Sequence, residues 1–108
     1  MEGMVVFRNL NKPLGIEMTG LMKRADFSAR DMAAWLDYPY STTYQWISGT
    51  VPQPRSYDKV AERMEVLRYA IKSHMFDDMP HQNMNRSTWI QGAYKRARRA
   101  QAAGSRPS

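Results

Sequence analysis

Apolar positions recur along this chain at helical intervals, and only Val5, Val6 and Phe7 form a compact block of the kind a strand would need. The pattern predicts an all-α protein. After Pro13, the positions Leu14, Met18, Leu21, Met22 and Ala25 fall on one stripe, in a helix that Gly15 and Gly20 each weaken by about 1 kcal/mol relative to Ala. Ser28, with Asp31 three positions later, has the form of a capping box. It opens a second helix that runs through Met32, Ala33 and Leu36 and stops within 37–39. A short third helix over 40–48 ends at Gly49, a residue suited to a left-handed terminator.

Beyond Pro52 and Pro54 the pattern predicts the longest helix, over 56–76. Tyr57, Val60, Ala61, Met64, Leu67, Ile71 and Met75 lie on its core-facing side, and Val66 and Tyr69 opposite, as a candidate second contact surface. Residues 79–86 read as a linker after a body spanning 1–78. A last helix over 87–102 and a frayed tail over 103–108 follow. In that last helix Trp89, Ile90, Ala93, Tyr94 and Ala97 share one face, and Lys95, Arg96, Arg98 and Arg99 the other.

Composition narrows the functional classes. A chain of 108 residues suits one small domain, and its lack of cysteine excludes disulfide scaffolds, cysteine-based zinc fingers and cysteine nucleophiles. Its longest apolar run, 32–36, is too short to span a bilayer, and its first residues lack the basic lead and apolar stretch of a secretory signal. An intracellular, reducing compartment is the expectation. The net charge of +6 is unevenly placed: ten bases balance ten acids over 1–78, and 79–108 carry six bases without an acid. Such asymmetry points to a polyanionic partner, either nucleic acid or an anionic membrane surface.

The most specific signal lies between Ala29 and Arg55, where Ala33, Leu36, Asp37 and Tyr38 are followed by Thr43 and Trp46. The segment resembles the helix-turn-helix of phage repressor and Cro proteins, over about 28–49 for the motif and 14–75 for the domain. Ala33, Tyr38, Thr43 and Trp46 fill that family's small and inward-facing positions. The run from Tyr44 through Gly49 to Pro52 is similar to the end of its recognition helix. Asp37 replaces the usual turn glycine, and Thr43 the usual valine or isoleucine. Asp tolerates a left-handed conformation better than most residues, and the Thr hydroxyl can bond back to the preceding turn. Pro39 helps to start the short helix.

On the short helix Thr43, Trp46, Ile47 and Thr50 are expected to face inward, leaving Ser41, Tyr44, Gln45 and Ser48, with Tyr40, to meet base edges in a major groove. Gln45 suits adenine N6 and N7, Ser41 several bases, and Tyr44 a thymine methyl or a phosphate. No Arg or Lys on this side can fork onto guanine, so adenine-containing half-sites are expected. Ser28 and Arg30, Arg55 and Lys59, and the basic face of Lys95, Arg96, Arg98 and Arg99 are the candidate phosphate contacts.

Catalysis has little support, since His74 and His81 lie far apart and no nucleophile cluster or phosphate-cradling glycine loop accompanies them. No enzyme, cofactor or small-molecule substrate is expected. A metal held by the two His with Asp77 and Asp78 is disfavoured. A basic amphipathic last helix could lie on an anionic membrane, but a neutral body with a helix-turn-helix makes double-stranded DNA the more economical anion. The resemblance implies a homodimeric phage or prophage transcriptional regulator, acting in the cytoplasm of a bacterial host with the nucleoid. The dimer contact is sought on Val66 and Tyr69 or on Trp89 and Tyr94. A small-terminase-like packaging or assembly protein and an autoregulatory antitoxin are the alternatives.

Overall fold

The computed structural model describes the backbone of residues 2–81 and 85–105, and the side chains of 14–81 and 85–104. It is all-helical, with α1 (Glu2–Ala25), α2 (Ala29–Leu36), α3 (Tyr40–Ile47), α4 (Pro54–Lys72) and α5 (Arg86–Ser105). The second helix starts as its capping box dictates. The Asp31 N–H donates to Ser28 Oγ at 3.2 Å, and the Ser28 N–H donates to Asp31 Oδ2 at 2.8 Å. It ends at Asp37, which takes the left-handed conformation at φ 61 and ψ 50. The next N–H, of Tyr38, reaches back to the Ala33 carbonyl at 3.2 Å. Lys59 Nζ then fastens this turn from α4, donating to the Asp37 carbonyl at 3.1 Å and to its carboxylate at 3.2 Å.

Three helices differ in extent from the sequence pattern. The first helix extends back to Glu2, passing through Pro13, which supplies no N–H to it. The fourth starts earlier, with Pro54 in its first turn, and stops at Lys72 instead of 76, because His74 turns left-handed at φ 57. Residues 73–79 then coil back, so Met75, Phe76 and Met79 reach the core from a turn and not from a helical stripe. The fifth continues to Ser105, into the segment expected to fray. Residues 82–84 of the expected linker and 106–108 of the expected tail lie outside the described residues, as do the side chains of Val5, Val6 and Phe7.

The core is centred on Trp35, which the sequence pattern did not single out and which is wholly buried. Its indole makes edge contacts with Phe76 at 5.5 Å and Tyr94 at 5.4 Å, and Phe27 packs nearby at 6.0 Å. Polar bonds fix the same residue: Trp35 Nε1 donates to the Arg63 carbonyl at 2.8 Å, and Arg63 Nη1 donates to the Trp35 carbonyl at 2.9 Å. The helix α5 packs against α2 and α4, with Ile90, Ala93 and Ala97 fully buried. Val66, expected on an outward surface, is also buried. It lies one turn beyond Glu62, the residue that accepts a hydrogen bond from Tyr94 of α5, so this side of α4 is the one α5 covers. Tyr57 and Ala61, expected inside, are exposed for the same reason: α4 is rotated to serve α5 as well as α1 and α2.

Arg86, at the start of α5, ties four segments together. Its guanidinium pairs with Asp31 at 2.9 Å and donates to the carbonyls of Asp26 at 2.7 Å and Pro80 at 2.8 Å. The pair is largely enclosed, the two side chains being 13% and 7% exposed. Removing one partner from such a pair strands the other in a poorly solvated site. Arg86→Ala is therefore expected to cost roughly 3–5 kcal/mol, read as a lowered urea midpoint. A loss no larger than that of an exposed ion pair would contradict this role.

Candidate nucleic-acid interface

An eight-residue helix has too few internal hydrogen bonds to persist in isolation, so α3 depends on what it packs against. Thr43 and Trp46 bury one side of it. The Trp46 ring meets Tyr38 edge-on at 4.8 Å, and Lys59 Nζ sits 4.3 Å from the other ring of that pair, Tyr38. Over the same last turn of α3, α1 crosses closely. A Cβ added at Gly15 would stand 3.0 Å from the Ile47 carbonyl oxygen and 3.3 Å from that of Trp46. Gly15, which lowers the intrinsic stability of α1, is thus the residue that lets α1 support α3. Gly49 closes the helix at φ 115, and the Thr50 N–H bonds to the Gln45 carbonyl at 2.9 Å.

One inward expectation and one hydrogen-bond expectation fail. Thr50 is exposed, because the chain has already turned at Gly49. Thr43 faces inward as expected, but its buried hydroxyl has no hydrogen-bond partner among the described residues and does not bond back to the preceding turn. An orphaned buried hydroxyl of this kind costs on the order of 1–3 kcal/mol.

The opposite side of α3 is open. Tyr40 is 43% and Tyr44 53% exposed, and Ser41, Gln45 and Ser48 are exposed with them. The Tyr40 and Tyr44 rings lie 6.0 Å apart at 30°, and the Arg30 guanidinium of α2 sits 4.9 Å from the Tyr40 centroid. Gln45 shares a shallow groove with Thr42, Thr50, Gln53 and Arg55. Arg55 is exposed and has no ion pair among the described residues.

Other candidate phosphate contacts are differently employed. Ser28 is engaged in the capping box, and Lys59 is held by Asp37. Lys95, Arg98 and Arg99 line a separate groove with Arg63, Ala34 and Asp37, whereas Arg96 lies over Trp89 at 5.5 Å, away from it. Arg63 was missed by the sequence reading, although Arg55, Lys59 and Arg63 recur every fourth position of α4. Neither expected dimer surface is free. Val66 and Tyr94 are buried within the chain, and Tyr69 and Trp89 are half-buried against the core.

Tyr94 forms the wall between that groove and the core. Its Oη donates to the Glu62 carboxylate at 2.7 and 2.9 Å, and the Arg63 guanidinium covers its ring at 3.9 Å. Burial, and then the bond to Glu62, push its phenol above the ordinary value of 10.0, against the opposing pull of Arg63.

The described residues contain no group of three or more side chains able to hold a metal ion, and no described helix is long and apolar enough to cross a membrane. No family model, curated protein or solved structure matches the chain.

The geometry gives two tests. Gly15→Ala is expected to lower the thermal midpoint despite a helix-propensity gain of about 1 kcal/mol, because the new methyl meets backbone. Gly20→Ala, with nothing within 4 Å of the added Cβ, is expected to raise it. Similar shifts in the two variants would refute the close crossing. For Tyr94, a raised folded-state pKa means that the unfolded chain loses the proton first. Its contribution to stability is complete below the unfolded value and is lost as pH rises through the folded one. Tyr94→Phe should therefore make the alkaline fall in stability shallower and remove a tyrosine that titrates above the ordinary value from an ultraviolet titration.

Proposed function

We propose that the chain binds double-stranded DNA in a sequence-dependent manner, with α2 and α3 acting as a helix-turn-helix and α3 as the reading helix. Binding, not catalysis, is its activity on this reading. The observation that carries it is the division of α3: Thr43 and Trp46 are buried, while Tyr40, Ser41, Tyr44, Gln45 and Ser48 stand exposed on one short, braced helix. A helix presented in this way fits a major groove, where a side-chain amide can pair with adenine N6 and N7. The hydroxyl groups of Ser41 and Ser48 add contacts tolerant of several bases, and the exposed tyrosines offer apolar surface to thymine methyls.

Arg30 and Arg55 flank this surface, one stacked on Tyr40 and the other in the groove beside Gln45. They support the reading by supplying positive charge on both sides of a face that itself has none. Phosphate contacts of this kind set register and orientation, and base contacts set sequence. One short helix spans few base pairs, so a homodimer on a two-fold site is the expected assembly, and a transcriptional regulator of repressor or Cro type the expected role.

Selection of bound oligonucleotides from a random duplex pool tests the activity and its symmetry together. A two-fold, adenine-containing consensus is the expected result, and failure to enrich any motif would argue against sequence-dependent binding. On the selected site, Gln45→Ala should reduce discrimination against scrambled duplex by roughly 1–3 kcal/mol, whereas Arg55→Ala should weaken both duplexes alike and lower the salt slope by about one unit. Equal losses on both duplexes from the Gln45 variant would remove Gln45 as a base reader.

A further inference from the structure

We propose that the groove between the end of α2, the middle of α4 and the exposed side of α5 is a second phosphate-binding surface, which holds the duplex backbone flanking the stretch that α3 reads. The proposal deepens the duplex-binding reading above and rests on it. Arg63 of α4 and Lys95, Arg98 and Arg99 of α5 line this groove, with Asp37 as the only acid among its lining residues. Glu62 lies 3.8 Å from Arg98 across an exposed pair, and neither Lys95 nor Arg99 has an ion pair among the described residues. Lys95 has Arg98 and Arg99 three and four positions on, the spacings at which like charges on a helix repel. Four cations gathered in one groove cost stability in the free chain, and an anion seated among them removes that cost.

The groove is also held in shape. The side of α5 opposite its bases is committed to the core through Ile90, Ala93 and Ala97. Arg63 is pinned by the Trp35 carbonyl and the Tyr94 ring, and its enclosed Nε has no hydrogen-bond partner among the described residues. A lipid surface is a poor fit, since α5 has no free apolar side to insert and the bases line a concavity. A phosphodiester backbone needs only the charges. Position favours the same partner. Asp37, on the groove's edge, belongs to the turn that precedes α3, and Arg55, Lys59 and Arg63 step along α4 from the groove of Gln45 to this one. Arg96 takes no part, lying over Trp89.

The test compares two triple variants of the full chain on a duplex extending about one helical turn to either side of the selected site. One removes the groove bases (Lys95→Gln, Arg98→Gln, Arg99→Gln), and the other removes equal charge elsewhere (Arg24→Gln, Lys72→Gln, Arg96→Gln). The groove variant is expected to lower the log–log salt slope by about 2 to 3 units, with an affinity loss on the order of 100-fold near 0.1 M salt, while its thermal midpoint at low salt holds or rises. The control is expected to change the slope by less than one unit. Equal slopes for the groove variant and the parent chain overturn the proposal, as does an equal fall in both triple variants, which would make net charge the cause. Loss of binding to phosphatidylserine vesicles without loss on duplex overturns it too, in favour of a membrane. The duplex-reading role of α3 fails separately: Gln45→Ala would leave discrimination intact while the groove variant still flattened the slope.

Discussion

A helix of eight residues has almost no stability of its own, and this chain places two of them in succession. The interaction that makes this workable is the exchange of hydrogen bonds between Trp35 and Arg63. Each donates to the other's main-chain carbonyl, which fastens α2 to α4 by polar bonds in addition to packing. The indole is then the surface on which Phe27, Phe76 and Tyr94 assemble, so α5 and the turn after α4 are built onto the same residue. The third helix is braced from this platform through Tyr38, whose ring meets Trp46 with Lys59 beside it, and from α1, where Gly15 crosses the Trp46 and Ile47 carbonyls.

The polar groups at the edges of this core extend its reach. Arg86 joins the N-terminal end of α2 to the end of α1, to Pro80 and to α5, and so gives the basic helix a fixed place. Arg63 serves two purposes, as an internal strut toward Trp35 and as a wall of the groove shared with α5. In the proposed complex, the face of α3 supplies selectivity with almost no charge, and the arginines and lysine around it supply attraction with almost no selectivity. That separation follows from the chemistry: amides and hydroxyls distinguish base edges, whereas cations meet the same phosphate at every step of the duplex.

Much of the architecture was legible because it is written in local chemistry. Ser28 and Asp31 specify a helix start through atoms three residues apart, and Asp37 and Gly49 mark chain reversals through backbone preference. The division of α3 into a buried and an exposed side follows from the period of an α-helix, and so does that of α5. Periodicity was least informative where a helix touches several partners. It placed Val66 outside and Ala61 inside, because α4 meets α1, α2 and α5 and no single stripe describes it. It also carried α4 through Met75 and Phe76, whose apolar character is the same whether a helix or a turn delivers them to the core.

The sequence by itself determined that the chain is helical, where α2 and α3 begin and end, which side of α3 is polar, and that the surplus positive charge lies at the C-terminal end. Each of these is a property of neighbours in the chain. Only the tertiary structure decided that Trp35 is the hub, that Gly15 is a crossing point, that Arg86 is spent on the interior and that Arg63 joins the bases of α5. Those roles depend on groups that are remote in sequence and adjacent in space, so no local pattern specifies them. The same Arg is a solvated charge or a structural bolt according to which carbonyls and carboxylates the fold brings to it.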